Sequence, residues 1–252
     1  IGKTALGLRS DYLAIATLGI AEIIIAVLKN EDWLSRGVKN VIGMPRPVPY
    51  EVDLQQSESF VARMESWGFD PITASSVTVK LSYAALFTIV LLALIWLTQA
   101  ALNSPWGRMM RAIRDNEVSA EAMGKDVTAR HLQVFILGSA ICGLAGAMMT
   151  TLDGQLTPGA YQPLRFTFLV WVMVIVGGSG NMKGAILGAM IVWGVWTGSG
   201  FAISKVVAPE WQAQSGALQA VLIGLILVLT LLMRPKGMIG EDVTVSRHAT
   251  DL

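Results

Sequence analysis

Cysteine, histidine and charge are all scarce in this 252-residue chain: one Cys, two His, and only 15% Asp, Glu, Lys and Arg. Each scarcity closes off a class of function. Cys142 lies inside an apolar run, so there is no disulfide framework. His131 and His248 form no HExxH pattern, and no apolar run holds a pair of acids, which argues against a membrane-embedded hydrolase. A net charge of +1 leaves no nucleic-acid footprint. No phosphate loop is present either: in GGSGNMKG, Lys183 is followed by Gly184 where G-x-x-x-x-G-K-[ST] needs Ser or Thr. No cofactor and no metal are expected. The chain opens on Ile1 with no signal-peptide pattern, so it reads as starting inside a longer protein.

Apolar length is what the sequence has in abundance. At 53% hydrophobic it is too apolar for a soluble domain. The apolar runs are Tyr12–Leu28, Leu81–Leu97, Leu132–Met149, Phe166–Val176, Ala185–Ile203 and Ala217–Met233. A bilayer crossing takes about 17–25 residues, which most of these meet and Phe166–Val176 does not. The expected fold is all-α, a polytopic transmembrane helix bundle of about six apolar segments. Residues 1–240 would form the membrane domain and 241–252 a cytoplasmic tail.

The segment between the second and third runs is the informative one. Asn103–Arg130 carries Arg108, Arg111, Arg114, Lys125 and Arg130, so the positive-inside rule places it in the cytoplasm. Ser104 can cap a helix whose first position is Pro105. Arg108, Arg111 and Arg114 precede Asp115, Glu117 and Glu121, an order that opposes the macrodipole of one continuous helix. A bend at Asp115-Asn116 resolves the conflict: the arginines then end one short helix, and Asn116 caps a second, which Gly124 ends. Met109, Ile113, Ala120 and Met123 form its apolar face. Two readings are open, a solvated connection or a docking element for a cytoplasmic partner.

Three other features call for a role. Glu22 falls inside the first run, where an ionisable group faces the bundle interior by default. It is either a polar group near a transport path, or else an interhelical hydrogen bond that fixes packing or a protonated carboxyl. Gly177, Gly178 and Gly180 read as a helix break that allows tight turns and close packing, and such breaks can also mark a path. The Asn30–Ser76 loop is long enough to be partly helical, with helical spacing in Phe60, Val61, Met64 and Trp67. It is either a contact for an outside partner or a lid on the bundle. The next expected span begins at a Thr128 cap and holds the small-residue ladders Gly138/Cys142/Gly146 and Ser139/Gly143/Ala147.

Three separated motifs carry a family resemblance. SPWGRMMRAIRDNEVSAEAMG, DYLAIATLGIAEII and VMVIVGGSGNMKGAILGA are similar to the LivM-type permease subunits of branched-chain amino-acid ABC importers, and RPKGMIG is similar to the end of that family's last helix. The resemblance covers Asp11 to Gly240. It implies further helices upstream of this chain. It also implies a bacterial inner-membrane subunit that pairs with a second, LivH-like permease, two cytoplasmic ATPase subunits and an extracytoplasmic substrate-binding protein. Residues 104–124 would couple it to the ATPases through Arg108, Arg111, Arg114, Asp115, Glu117, Glu121 and Gly124. The implied cargo is leucine, isoleucine and valine. The general importer signature, EAA then Gly after three residues, is not met, because Glu121-Ala122-Met123 runs directly into Gly124. Two alternatives remain: a secondary transporter proton-coupled at Glu22, and an ABC permease for urea or short amides.

Overall fold

The computed structural model describes residues 10–35, 40–158, 163–206 and 215–240. Lys3, Arg9, Trp211 and the 241–252 tail lie outside the described residues. The chain divides into two compact units, Ile1–Ala160 and Tyr161–Leu252. The fold is all-α and polytopic, apart from one pair of two-residue strands.

The first unit opens with α1 (Ser10–Asn30) and the short α2 (Asp32–Ser35). Strand β1 (Val41–Ile42) and helices α3 (Glu51–Gln56) and α4 (Glu58–Ser66) follow, so the long loop is indeed partly helical. Phe60, Val61 and Met64 are half-buried on α4, whereas Trp67 caps its end and is 65% exposed. The second apolar run belongs to α5 (Pro71–Asn103), much longer than the expected Leu81–Leu97. Its first turns are polar, which hides them from an apolar count, but the hydroxyls are spent inside the helix. Ser75, Thr78 and Ser82 donate to the carbonyls of Ile72, Ala74 and Thr78 at 2.8 Å each. Asp70 caps the start, accepting from the Thr73 N–H at 2.9 Å, and Pro71 occupies the first turn. At 1.5 Å per residue α5 is about 50 Å long, well beyond a hydrocarbon core of about 30 Å.

Helices α6 (Pro105–Asp115) and α7 (Glu117–Ala122) form a hairpin at the Asn103 end of α5. Then α8 (Val127–Asp153) runs to β2 (Gln155–Leu156), which pairs antiparallel with β1, Val41 opposite Leu156. The α8 cap is Asp126, whose carboxylate accepts from the Ala129 N–H at 2.9 Å. Thr128 was the expected cap, but the helix starts one residue before it. The core here is small: Val48, Val79 and Tyr83, with Leu54 and Phe87 packed against them. The Tyr83 hydroxyl donates to the Thr151 carbonyl at 2.8 Å, joining α5 to the far end of α8.

The second unit holds α9 (Pro163–Gly177), α10 (Met182–Val206) and α11 (Ser215–Met233) around Leu169, Val172, Val176, Val192 and Ile223. Among the described residues, four helices are long and apolar enough to cross a membrane: Pro71–Asn103, Val127–Asp153, Met182–Lys205 and Gly216–Met233. Among the described residues, nothing buries the apolar windows of α5 and α8. Gly138, Gly143 and Gly146 on α8 likewise have no described neighbour, so their small-residue face is open.

Candidate functional site

The charged hairpin is built from its caps inward. Ser104 Oγ donates to the Ala101 carbonyl at 2.6 Å and accepts from the Gly107 N–H at 3.4 Å, so one residue ends α5 and starts α6. The corner leaves no room at Gly107, where a Cβ would meet the Leu102 carbonyl oxygen and lie 2.6 Å from that of Ala101. Two arginines then turn back onto α5. Arg108 Nη1 donates to the Asn103 carbonyl and Arg111 Nη2 to the Leu102 carbonyl, each at 3.3 Å. They satisfy carbonyls that a helix end leaves unpaired and place positive charge at the negative end of its dipole.

The bend falls where the charge order places it. Helix α6 ends at Asp115, and Asn116 Oδ1 accepts from the Ser119 N–H at 2.9 Å to open α7. The end of α7 is a Schellman motif. The Gly124 N–H donates to the Glu121 carbonyl at 2.9 Å, and the Lys125 N–H to that of Ala120 at 3.2 Å. Gly124 has φ +76°, a value that only glycine adopts without strain. At the hairpin's base, the Gln133 side-chain carbonyl accepts from Trp106 Nε1 at 3.1 Å and from Arg130 Nη1 at 2.9 Å.

Inside the hairpin Ile113, Ala120 and Val127 are buried, with Met109 and Met110 packed against them. Met123, expected on this face, is instead 79% exposed. As the residue just past α7, at its C-cap, it leaves the helical face, and Val127 from α8 fills the inner position. Arg108, Arg111, Arg114, Asp115, Glu117 and Glu121 are all exposed. Arg114 lies 3.3 Å from the adjacent Asp115 carboxylate. Val118 is 76% exposed, so the outer surface of α7 combines Val118 and Met123 with acids and bases.

The glycine run is a second built feature. Helix α9 ends at Gly177 and α10 starts at Met182, so the expected break is present. Gly178 has φ +119° and Gly180 φ +93°. Gly177, Gly178, Gly184 and Gly188 are buried and Gly180 is exposed. A Cβ on Gly177 would meet the Gly184 carbonyl oxygen, and one on Gly188 that of Met173, so α9 and α10 touch backbone to backbone.

The segment after α11 completes this junction, a role not read from the sequence. The Met238 and Ile239 N–H groups donate to the Val176 and Gly177 carbonyls, both at 2.9 Å. Asn181 Nδ2 donates to the Gly240 carbonyl at 3.2 Å, while Asn181 Oδ1 accepts from the Lys183 N–H at 2.9 Å. The last carbonyls of α9 are thus satisfied by residues some 60 positions downstream. The presence of Gly237 and Gly240 in RPKGMIG was the available signal.

Glu22 does not face a packed interior. It is exposed on α1 and, among the described residues, makes no hydrogen bond or ion pair. Among the described residues no other element covers the face of α1 that carries Glu22, which leaves a partner for it to another helix.

Arg46 was also missed by the sequence reading. Its guanidinium lies 3.4 Å from Glu51, 4.5 Å from the centre of the Tyr50 ring and 3.4 Å from the Leu152 carbonyl. It pins the loop between α2 and α5 to the end of α8. The prolines either side of it in MPRPVP were the sole hint of a fixed backbone there.

The comparisons with known proteins agree with this architecture. Residues 1–231 match the family model described as "Branched-chain amino acid transport system / permease component". The chain is 26% identical over 248 residues to the high-affinity branched-chain amino acid transport system permease protein LivM of Salmonella typhimurium, covering 95% of this chain and 53% of that one. It is 26% identical over 242 residues to the probable LivM of Methanocaldococcus jannaschii, covering 93% and 61%. The LivH permease protein of Salmonella typhimurium is 24% identical over 252 residues, covering 94% and 78%. No solved structure matches the chain. The chain spans about half the length of the Salmonella LivM protein. With that match over most of its residues and its apolar helices, this multi-pass membrane protein belongs to the branched-chain amino acid transport system permease component family.

Proposed function

We propose that the chain is the larger part of a permease subunit of an ATP-driven importer for leucine, isoleucine and valine. It would sit in the cytoplasmic membrane, form the translocation path with a second permease, and receive cargo from an extracytoplasmic binding protein. Two cytoplasmic ATPases would supply the energy through residues 104–124. The cargo class is carried over from the names of the relatives, and the coupling role from the family resemblance, with the geometry of the hairpin in its support.

The observation that carries the coupling role is the contrast between the hairpin's two faces. Its inner face is packed and its corner with α5 is pinned by Ser104, Arg108 and Arg111, so force on the hairpin passes directly to a 33-residue helix. Its outer face holds exposed charge of both signs around exposed Val118 and Met123. An apolar centre with a charged rim is the composition of a docking surface. Closure of the ATPases on ATP would move α6 and α7 as a lever and tilt α5 between outward and inward openings of the path. The open small-residue face of α8 supports close packing against a helix of the second permease.

Reversing charge at Arg114 and Glu117 together tests the reading. Expressed with its partners, the double variant is expected to lose copurifying ATPases and ATP-dependent leucine uptake, while keeping membrane insertion and the second permease. Normal ATPase retention and normal uptake would reduce the hairpin to a solvated connection.

A further inference from the structure

The end of the second unit at which α9 stops and α10 starts carries Lys183, Arg234 and Lys236, all exposed. Among the described residues, none of these side chains has a hydrogen bond or ion pair. The reason is in the sequence: the described part of this unit, 163–206 and 215–240, contains no Asp or Glu at all. Beside the cations runs an open apolar groove of about 280 Å³, lined by Ile226, Leu229, Thr230, Met233, Arg234 and Met238. Its walls are held in place. The Met238 N–H is bonded to the Val176 carbonyl at 2.9 Å, and a turn closed by the Gly237 N–H on the Arg234 carbonyl at 2.8 Å sets Arg234 at its mouth. Thr230 Oγ1 is spent on the Ile226 carbonyl at 2.8 Å, so the groove offers no free hydroxyl.

We infer that this groove and its cations bind an anionic phospholipid. The acyl chain lies along Ile226, Leu229 and Met233, and the phosphate meets Arg234 with Lys236 in the same turn. Charge selects the occupant: cations that have no partner among the described residues, at the end of a membrane helix, attract anionic headgroups, and a guanidinium matches a phosphate bidentately. The groove is continuous with the apolar face of a helix long enough to cross the membrane, so a lipid reaches it without leaving the bilayer. The inference stands on the membrane fold and not on the cargo, so it survives if the transported molecule is different.

The test is native mass spectrometry of the full chain, purified from membranes in the assembly it forms and equilibrated with phosphatidylglycerol or phosphatidylcholine. Phosphatidylglycerol is expected to be retained about thirtyfold more than phosphatidylcholine, the factor that two cations near an anionic headgroup supply. Arg234→Gln with Lys236→Gln should bring the two lipids level. Leu229→Trp, which fills the groove, should lower retention of both, and it carries the test alone if the double variant does not fold. Equal retention by the unaltered protein, or a preference unchanged in the double variant, would overturn the inference. So would competition by glycerol 3-phosphate as strong as by the lipid, since the groove would then play no part. A groove covered by another subunit would retain no lipid, and that result would overturn the inference as well.

Discussion

Gly188→Ala sets two physical effects against each other at one residue. In an isolated helix the substitution is favourable by about 1 kcal/mol, because alanine loses less backbone entropy. At Gly188 the added carbon meets the Met173 carbonyl oxygen and comes within 2.7 Å of the Gly177 nitrogen and 2.9 Å of its Cα. Those atoms are backbone and cannot rotate away, so α9 and α10 must separate. Overpacking of a tight core costs about 1–3 kcal/mol, and the upper end applies where no side chain can yield. The expected net effect is destabilisation by about 2 kcal/mol. The same helix contains its own control: a Cβ on Gly194 or Gly198 meets nothing within 4 Å. Gly194→Ala should therefore be neutral or stabilising by up to about 1 kcal/mol. The assay is denaturant unfolding of the purified chain in detergent, followed by tryptophan fluorescence, since Trp171, Trp193 and Trp196 lie on these two helices. If Gly188→Ala were as stable as Gly194→Ala, the backbone contact between α9 and α10 would be wrong, and with it the account of the glycine run.

Within the hairpin, Ile113→Ala should cost about 2 kcal/mol or more and Met123→Ala less than about 0.5 kcal/mol in the same unfolding assay, because Ile113 is buried and Met123 is not. Matching effects would reject the two-faced hairpin. At Asp70, the Thr73 backbone N–H, then the Thr73 hydroxyl, hold the carboxyl below its ordinary value of 3.8. A lowered value means the cap stabilises fully above 3.8 and fades as pH falls through the lowered value. Asp70→Ala should thus unfold earlier than the unaltered chain at neutral pH, with the gap closing only in strong acid; a gap independent of pH would exclude the carboxylate cap. Glu22→Gln should leave the proposed leucine uptake largely intact, whereas Glu22→Leu should reduce assembly, since the amide keeps the ability to hydrogen-bond to another helix and leucine does not. Loss of uptake in fully assembled Glu22→Gln protein would instead establish a role for the charge.

Local chemistry made much of this protein legible from the sequence. Six apolar runs specified the polytopic helical class, because lipid leaves a backbone no other way to satisfy its polar groups than within a helix or a closed barrel. The bend and caps of the hairpin were readable to the residue, since caps, a charge order opposing the dipole and one glycine are all short-range signals, but its inner face was not, because Met123 leaves it and Val127 fills it. The start of α5 was not, because an apolar count misses hydroxyls that bond within the helix. Tertiary structure alone decided the rest. The Asn103 and Leu102 carbonyls accept from Arg108 and Arg111, which ties two exposed surface charges back onto α5. RPKGMIG returns to close α9, a pairing across some 60 residues that no periodicity encodes. The glycines at 177, 184 and 188 announce only that something approaches closely; which backbone it is depends on how α9, α10 and the tail pack in three dimensions.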